Sequence, residues 1–174
     1  MWMRQPGMGC VRDPDAWHPA VCVEGGQRDM DDHELIEQYQ EGERDFQRVN
    51  LEGADLSGAD LSGANFSGAD LHMANLTGAD LSGADLSWAV LSWAKLRSTS
   101  LTGADLSMAN VTGADLTGAD LIGAKLHLAD LRWAVLTRAT LDRADLTMAD
   151  VSEDQLVRAG SLLGTVLPAR GSLL

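Results

Sequence analysis

The sequence predicts an all-β solenoid, a chain that turns a corner within every five residues and stacks its turns as parallel β-structure. Three observations predict it. First, an apolar residue recurs at every fifth position from Leu56 to Val151: of 20 such centres 17 are Leu, and Phe66, Val111 and Val151 are the exceptions. Second, the flanking positions hold their own residue types in the same phase. Ala stands two before the centre in 19 of the 20, Asp or Asn one before in 14, Ser or Thr one after in 14, and Gly two after in 9. Third, the chain is 45% apolar but only 5% aromatic, so its core must be built from Leu and Ala.

A period of five fits neither regular element. At 100° per residue the leucines would spiral around a helix instead of forming a stripe. Being odd, the period would send alternate leucines to opposite faces of a strand. It works when the chain turns inside each repeat, and Asp, Asn, Ser and Gly favour turns. Stacked turns in register pair as parallel strands about 4.8 Å apart.

The runs ADLSGADLSGANFSGADL and GADLSMANVTGADLTGADL resemble the pentapeptide repeat family, whose consensus is A-(D/N)-L-x-x. The resemblance covers residues 46 to about 156. It implies a right-handed quadrilateral parallel β-helix with four pentapeptides per square coil, the central Leu and the Ala pointing inward and the other positions outward. Residues 20 apart then stack on one face. Weaker repeats extend the register to Phe46, Leu51 and Leu156, and to Val166.

The ends of an open coil stack need covering against edge-to-edge aggregation. Residues 31–43 read as a short capping helix, with Asp31 or Asp32 as N-cap, Gly42 past the end, and Leu35, Ile36 and Tyr39 on the covering face. Residues 1–30 show no periodicity and read as a disordered leader. Residues 44–156 form the repeat, and residues 157–174 a last coil and tail in which Pro168 stops the ladder.

Little in the sequence points to catalysis. His18, His33, His72 and His127 are far apart and none has an evident Cys or Ser partner. Cys10 and Cys22 are too few for a disulfide framework, and no metal-ligand spacing is present. The regular aspartates read as turn formers, and the glycines open no helix as a phosphate loop would. The expectation is a protein that is not an enzyme, with no cofactor and no metal. A net charge of −13 argues against direct contact with nucleic acid. No apolar run approaches a membrane span, and no secretory signal is evident, so a cytoplasmic location is expected.

The expected function is a structural or protein–protein interaction scaffold. The alternative comes from the resemblance. The quinolone-resistance members of that family are acidic rods that mimic duplex DNA and bind DNA gyrase or topoisomerase, protecting it against inhibitors. The charge distribution weakens that alternative here: residues 46–156 carry a net −8 and residues 1–45 a net −7. Lys95, Arg97, Lys125, Arg132, Arg138 and Arg143 also interrupt the acidic surface of the C-terminal half.

One surface departs from the consensus. In the outward position two after the centre, Gly68 is followed at steps of 20 by Trp88, Met108, Leu128 and Met148. On the adjoining face the same position reads Met73, Trp93, Gly113 and Trp133, and Val90 replaces an Asp or Asn there. Met73, Trp88, Val90, Trp93, Met108, Leu128, Trp133 and Met148 are the candidate protein interface, for a homodimer or a docking partner. Covering of these columns by the leader or the tail is the alternative.

Overall fold

The computed structural model describes residues 8–11, 21–24 and 27–169. The remainder of the expected leader, and residues 170–174 of the expected tail, lie outside the described residues.

Parallel bridges join residues 20 apart in unbroken succession, from Asp45↔Asn65 to Asp130↔Asp150. The chain therefore returns on itself every four repeats. Each repeat contributes the same hydrogen bonds. Leu71 N–H donates to Val90 C=O at 2.8 Å and Met73 N–H to Ser92 C=O at 3.0 Å in the next coil, while Asp70 N–H donates to Val49 C=O at 2.9 Å in the previous one. Between these bonds the corner closes on itself, Ala74 N–H donating to Leu71 C=O at 3.1 Å.

The composition follows from this geometry. The central residues from Leu51 to Val151 and the corner alanines from Ala64 to Ala149 are buried. Leu fills the middle of the coil, and Ala fits where the turning backbone comes close to the axis. Asp or Asn before the centre caps the corner: Asp70 Oδ1 accepts from His72 N–H at 2.9 Å and Asn65 Oδ1 from Ser67 N–H at 3.0 Å.

Thr99 is the one non-alanine corner, and it is fully buried. Its hydroxyl donates to Leu76 C=O in the coil below at 2.7 Å, which satisfies a group that would otherwise be costly there.

The N-terminal end is built from more than the helix. β1 (Met8–Val11) and β2 (Val21–Glu24) pair antiparallel. β3 (Arg28–Asp29) pairs in parallel with β4 (Val49–Asn50), and the next residue, Met30, is buried over the first coil. The expected leader boundary at residue 30 therefore moves: residues 28–30 form a partial coil, 21 residues from their partners instead of 20. α1 (Asp32–Gln40) follows, its N-cap Asp31 accepting from Glu34 N–H at 2.7 Å. Leu35 is fully buried, Ile36 and Tyr39 pack against the core, and Tyr39 Oη donates to Ser62 C=O at 2.8 Å. Phe46 and Phe66 stack in the coils at this end, centroids 5.5 Å apart.

At the other end the register changes. α2 (Glu153–Val157) interrupts the coil, capped by Ser152 and held by a reciprocal bond with Gln155. Beyond it Ser161 pairs with Thr140 and Val166 with Asp145, a separation of 21. By this register the central positions pass to Leu162, which packs against the core, and Leu167; the expected centre Val166 falls one before the centre, and Val166 and Leu167 are both about half exposed. The helix takes up one extra residue, which sequence phase alone did not show.

Candidate protein interface

The position two after each centre is the tip of the corner, and the backbone there is left-handed in every repeat from Arg48 to Met148. Gly63 has φ +65° and Gly123 φ +66°. A four-residue turn closed from its fourth N–H to its first C=O, with a positive φ at its third residue, is the geometry that favours Gly. An L-residue in that conformation is disfavoured by about 1–2 kcal/mol. The candidate residues occupy it nonetheless: Met73, Trp88, Trp93, Met108, Leu128, Trp133 and Met148 all have φ between 57° and 62°. Seven large apolar side chains stand where the fold prefers glycine.

All seven point outward. Exposure runs from 38% for Met108 and Leu128 to 64% for Trp88 and 72% for Trp133. Among the described residues nothing covers the two columns. They stand on either edge of one rod face as parallel ridges. Between them lies a floor of Asp70, Val90, Asn110 and Asp130 on one side of the midline, and His72, Ser92, Thr112 and Arg132 on the other. Val90 is half-buried in this floor. The ridge side chains also pack along the axis. The Trp93 indole lies on Gly113, where an added Cβ would come within 2.8 Å of the ring. Gly113 thus has two reasons to lack a side chain, its φ of +68° and the tryptophan above it.

The floor corrects one expectation. His72 does have a serine partner: Nδ1 lies 2.8 Å from Ser92 Oγ, one coil away. A separation of 20 was the signal that could have found it. Ser92 is only 9% exposed, and among the described residues no carboxylate hydrogen-bonds the His72 ring; the pair closes the floor.

The basic residues pair with aspartates of the stacks, Lys125 from within a stack and Arg97 and Arg132 from the column beside it. Lys125 reaches Asp105 at 3.0 Å, Arg97 reaches Asp115 at 3.4 Å, and Arg132 bridges Asp130 at 2.6 Å and Asp150 at 3.4 Å. Arg132 holds the Asp130 carboxyl below the usual carboxylate range. Among the described residues no cluster of three His, Cys, Asp or Glu side chains could hold a metal ion, and no helix is long and apolar enough to cross a membrane.

Comparison with known proteins identifies the class. The pentapeptide repeat model matches residues 45–83, 84–121 and 114–152, and the chain belongs to that family. Its members are right-handed quadrilateral β-helices and generally serve as non-enzymatic scaffolds. Among solved structures, the trypsin-treated form of QnrB1, a plasmid-mediated fluoroquinolone resistance protein, is similar at 20% identity over 68% of each chain, with a TM-score of 0.53. Full-length QnrB1 is similar at 22% identity over 71% of this chain and 77% of that one, with a TM-score of 0.50. The pentapeptide repeat protein alr5209 from Nostoc PCC 7120 is similar at 34% identity over 83% of this chain and 90% of that one, with a TM-score of 0.37. A search of curated proteins returns no match.

Proposed function

We propose that this protein is a protein-binding scaffold whose docking surface is the face edged by Trp88, Met108, Leu128 and Met148 on one side and Met73, Trp93 and Trp133 on the other. The single observation that carries the reading is that seven exposed large apolar side chains stack at left-handed positions, where other repeats carry glycine or, as at Ser98, Arg138 and Arg143, a polar residue. Glycine there would relieve strain and remove exposed apolar area together, and strain kept at a surface points to a function that needs those side chains. Trp and Met give large, adaptable contact area.

A photo-reactive benzophenone amino acid at position 88, and separately at position 123 on another face, tests this in the cells that produce the protein. Position 88 should give protein adducts and position 123 none. Equal yields from the two would remove the reading. The DNA-mimic alternative has the weaker support, because Lys95 and Lys125 interrupt the aspartate stacks and Arg132 pairs with Asp130 and Asp150. A gyrase supercoiling assay with the purified protein should show neither inhibition nor protection.

A further inference from the structure

We infer that the partner at this face is a second copy of the chain, docked face to face with the two rods side by side and pointing the same way. The inference rests on the docking-surface reading above and adds the occupant and its orientation.

Three observations support a second copy. The first is area. Three tryptophans, each more than half exposed, offer on the order of 400 Å². The two leucine- and methionine-bearing ridges bring the patch toward the ~800 Å² per partner of a standard interface.

The second is charge. A chain of net −13 repels its own copy, yet residues 86–94 and 106–114, which form the middle of this face with its Trp88, Trp93 and Met108, contain no charged residue. The centre of the patch is the place where two such polyanions can meet without opposing like charges.

The third fixes the orientation. The polar groups that flank the centre are sorted across the face: the carboxylates of Asp70 and Asp130 lie before the midline, and the His72 imidazole and the Arg132 guanidinium lie after it. A two-fold axis along the rod exchanges the two edges. It brings Asp130 toward Arg132 of the second copy and Asp70 toward its His72. It also sets Met108 opposite the second copy's Gly113, where it would meet the Trp93 indole lying on that glycine, and Met73 opposite its Gly68. A two-fold axis across the rod would instead oppose Asp70 with Asp130, and His72 with Arg132. Self-complementarity under one two-fold operation is what an isologous dimer requires.

Light scattering on the full chain after gel filtration, from about 1 to 100 µM, reads the outcome. Wild type should have twice the monomer mass of 18.5 kDa. Trp88→Gly with Trp93→Gly should be monomeric and keep its circular dichroism. Arg132→Asp should weaken association on the order of tenfold, and adding Asp130→Lys should restore it. The fold carries Asp142 and Lys125 at the equivalent positions of other repeats, so it accommodates both changes. A monomeric wild type would overturn the second copy. If position 88 still crosslinks to another protein, the docking surface itself survives. A dimer untouched by Trp88→Gly and Trp93→Gly removes both readings. Tighter association of Arg132→Asp overturns the orientation, since in the opposed arrangement the new aspartate would face His72.

Discussion

The side-chain amide of Gln155 donates to the Ala134 carbonyl at 2.7 Å, standing in for a main-chain N–H that has been wound into a helix. In the coils before α2 the corner alanine's carbonyl accepts from the backbone 21 residues on, as Ala114 does from Val135 at 2.9 Å. For Ala134 that donor would be the N–H of Gln155 itself, which instead bonds Ser152 Oγ at 3.3 Å as part of the helix cap. The same amide also donates to Leu131 C=O at 2.7 Å. One side chain thus ties α2 to the last full coil and satisfies the Ala134 carbonyl that the helix leaves behind.

Gln155→Ala should therefore strand the Ala134 carbonyl, while Leu131 C=O keeps its bond from Ala134 N–H at 3.0 Å, and break the reciprocal cap. The expected loss is about 1–3 kcal/mol, the cost of leaving a partly buried acceptor unmet. Thermal melting followed by circular dichroism reads it. An unchanged midpoint would mean that water replaces the amide at no cost.

The rod was legible in the sequence because its core is one-dimensional. A single inward Leu and a single inward Ala per repeat fix which residues are buried, and a phase that holds from Leu56 to Val151 leaves no freedom in register. The ends were less legible. Met30 is one apolar residue in a segment without period, and its burial depends on β3 adding to β4, a pairing no local pattern announces. Leu156 stays inward in phase while the chain around it becomes helical, and the extra residue then moves the centres to Leu162 and Leu167. The apolar columns were readable from their spacing of 20. Their backbone conformation was readable too, from the nine glycines that share the position, but only once the corner is known to need a positive φ.

The corner strain can be measured away from the docking face. Gly123 has φ +66° and open space around the site of a Cβ, so Gly123→Ala adds no clash. It should still cost about 1 kcal/mol, from the left-handed backbone alone. Arg143→Gly, at φ 59°, is the reverse experiment and should stabilise by a similar amount or be neutral, since Gly also loosens the unfolded chain. Urea midpoints for the pair decide it. A stabilising Gly123→Ala would remove strain as the reason the apolar residues need explaining.

Thr99→Ala looks harmless from the sequence, because it restores the consensus alanine. The structure gives the opposite sign. The hydroxyl donates to Leu76 C=O from a fully buried site, and its loss leaves a small void beside Leu76. A destabilisation of about 1 kcal/mol is expected. It stays modest because Leu76 C=O also accepts from Ala79 N–H at 3.0 Å. A variant as stable as wild type would show that the threonine is merely tolerated.

Acid should loosen the rod through its corner caps. The Thr147 hydroxyl and N–H hold the Asp145 carboxyl below the usual carboxylate range, the Ser62 N–H and hydroxyl do the same for Asp60, and the Ser161 hydroxyl for Asp142. A carboxyl whose folded pKa is depressed binds fewer protons than it does in the unfolded chain at the same pH. Its contribution is therefore complete above the unfolded pKa, and it is lost as pH falls through the folded one. The melting temperature should hold from pH 7 to about 5 and fall steadily below about 4. Asparagine separates this from a general effect of acid. Asn65 makes the same bond to Ser67 N–H at 3.0 Å without a titrating group. Asp60→Asn with Asp145→Asn should thus keep both corners folded at neutral pH and give a shallower acid limb than wild type. An acid limb of unchanged slope would place the sensitivity outside the corner caps.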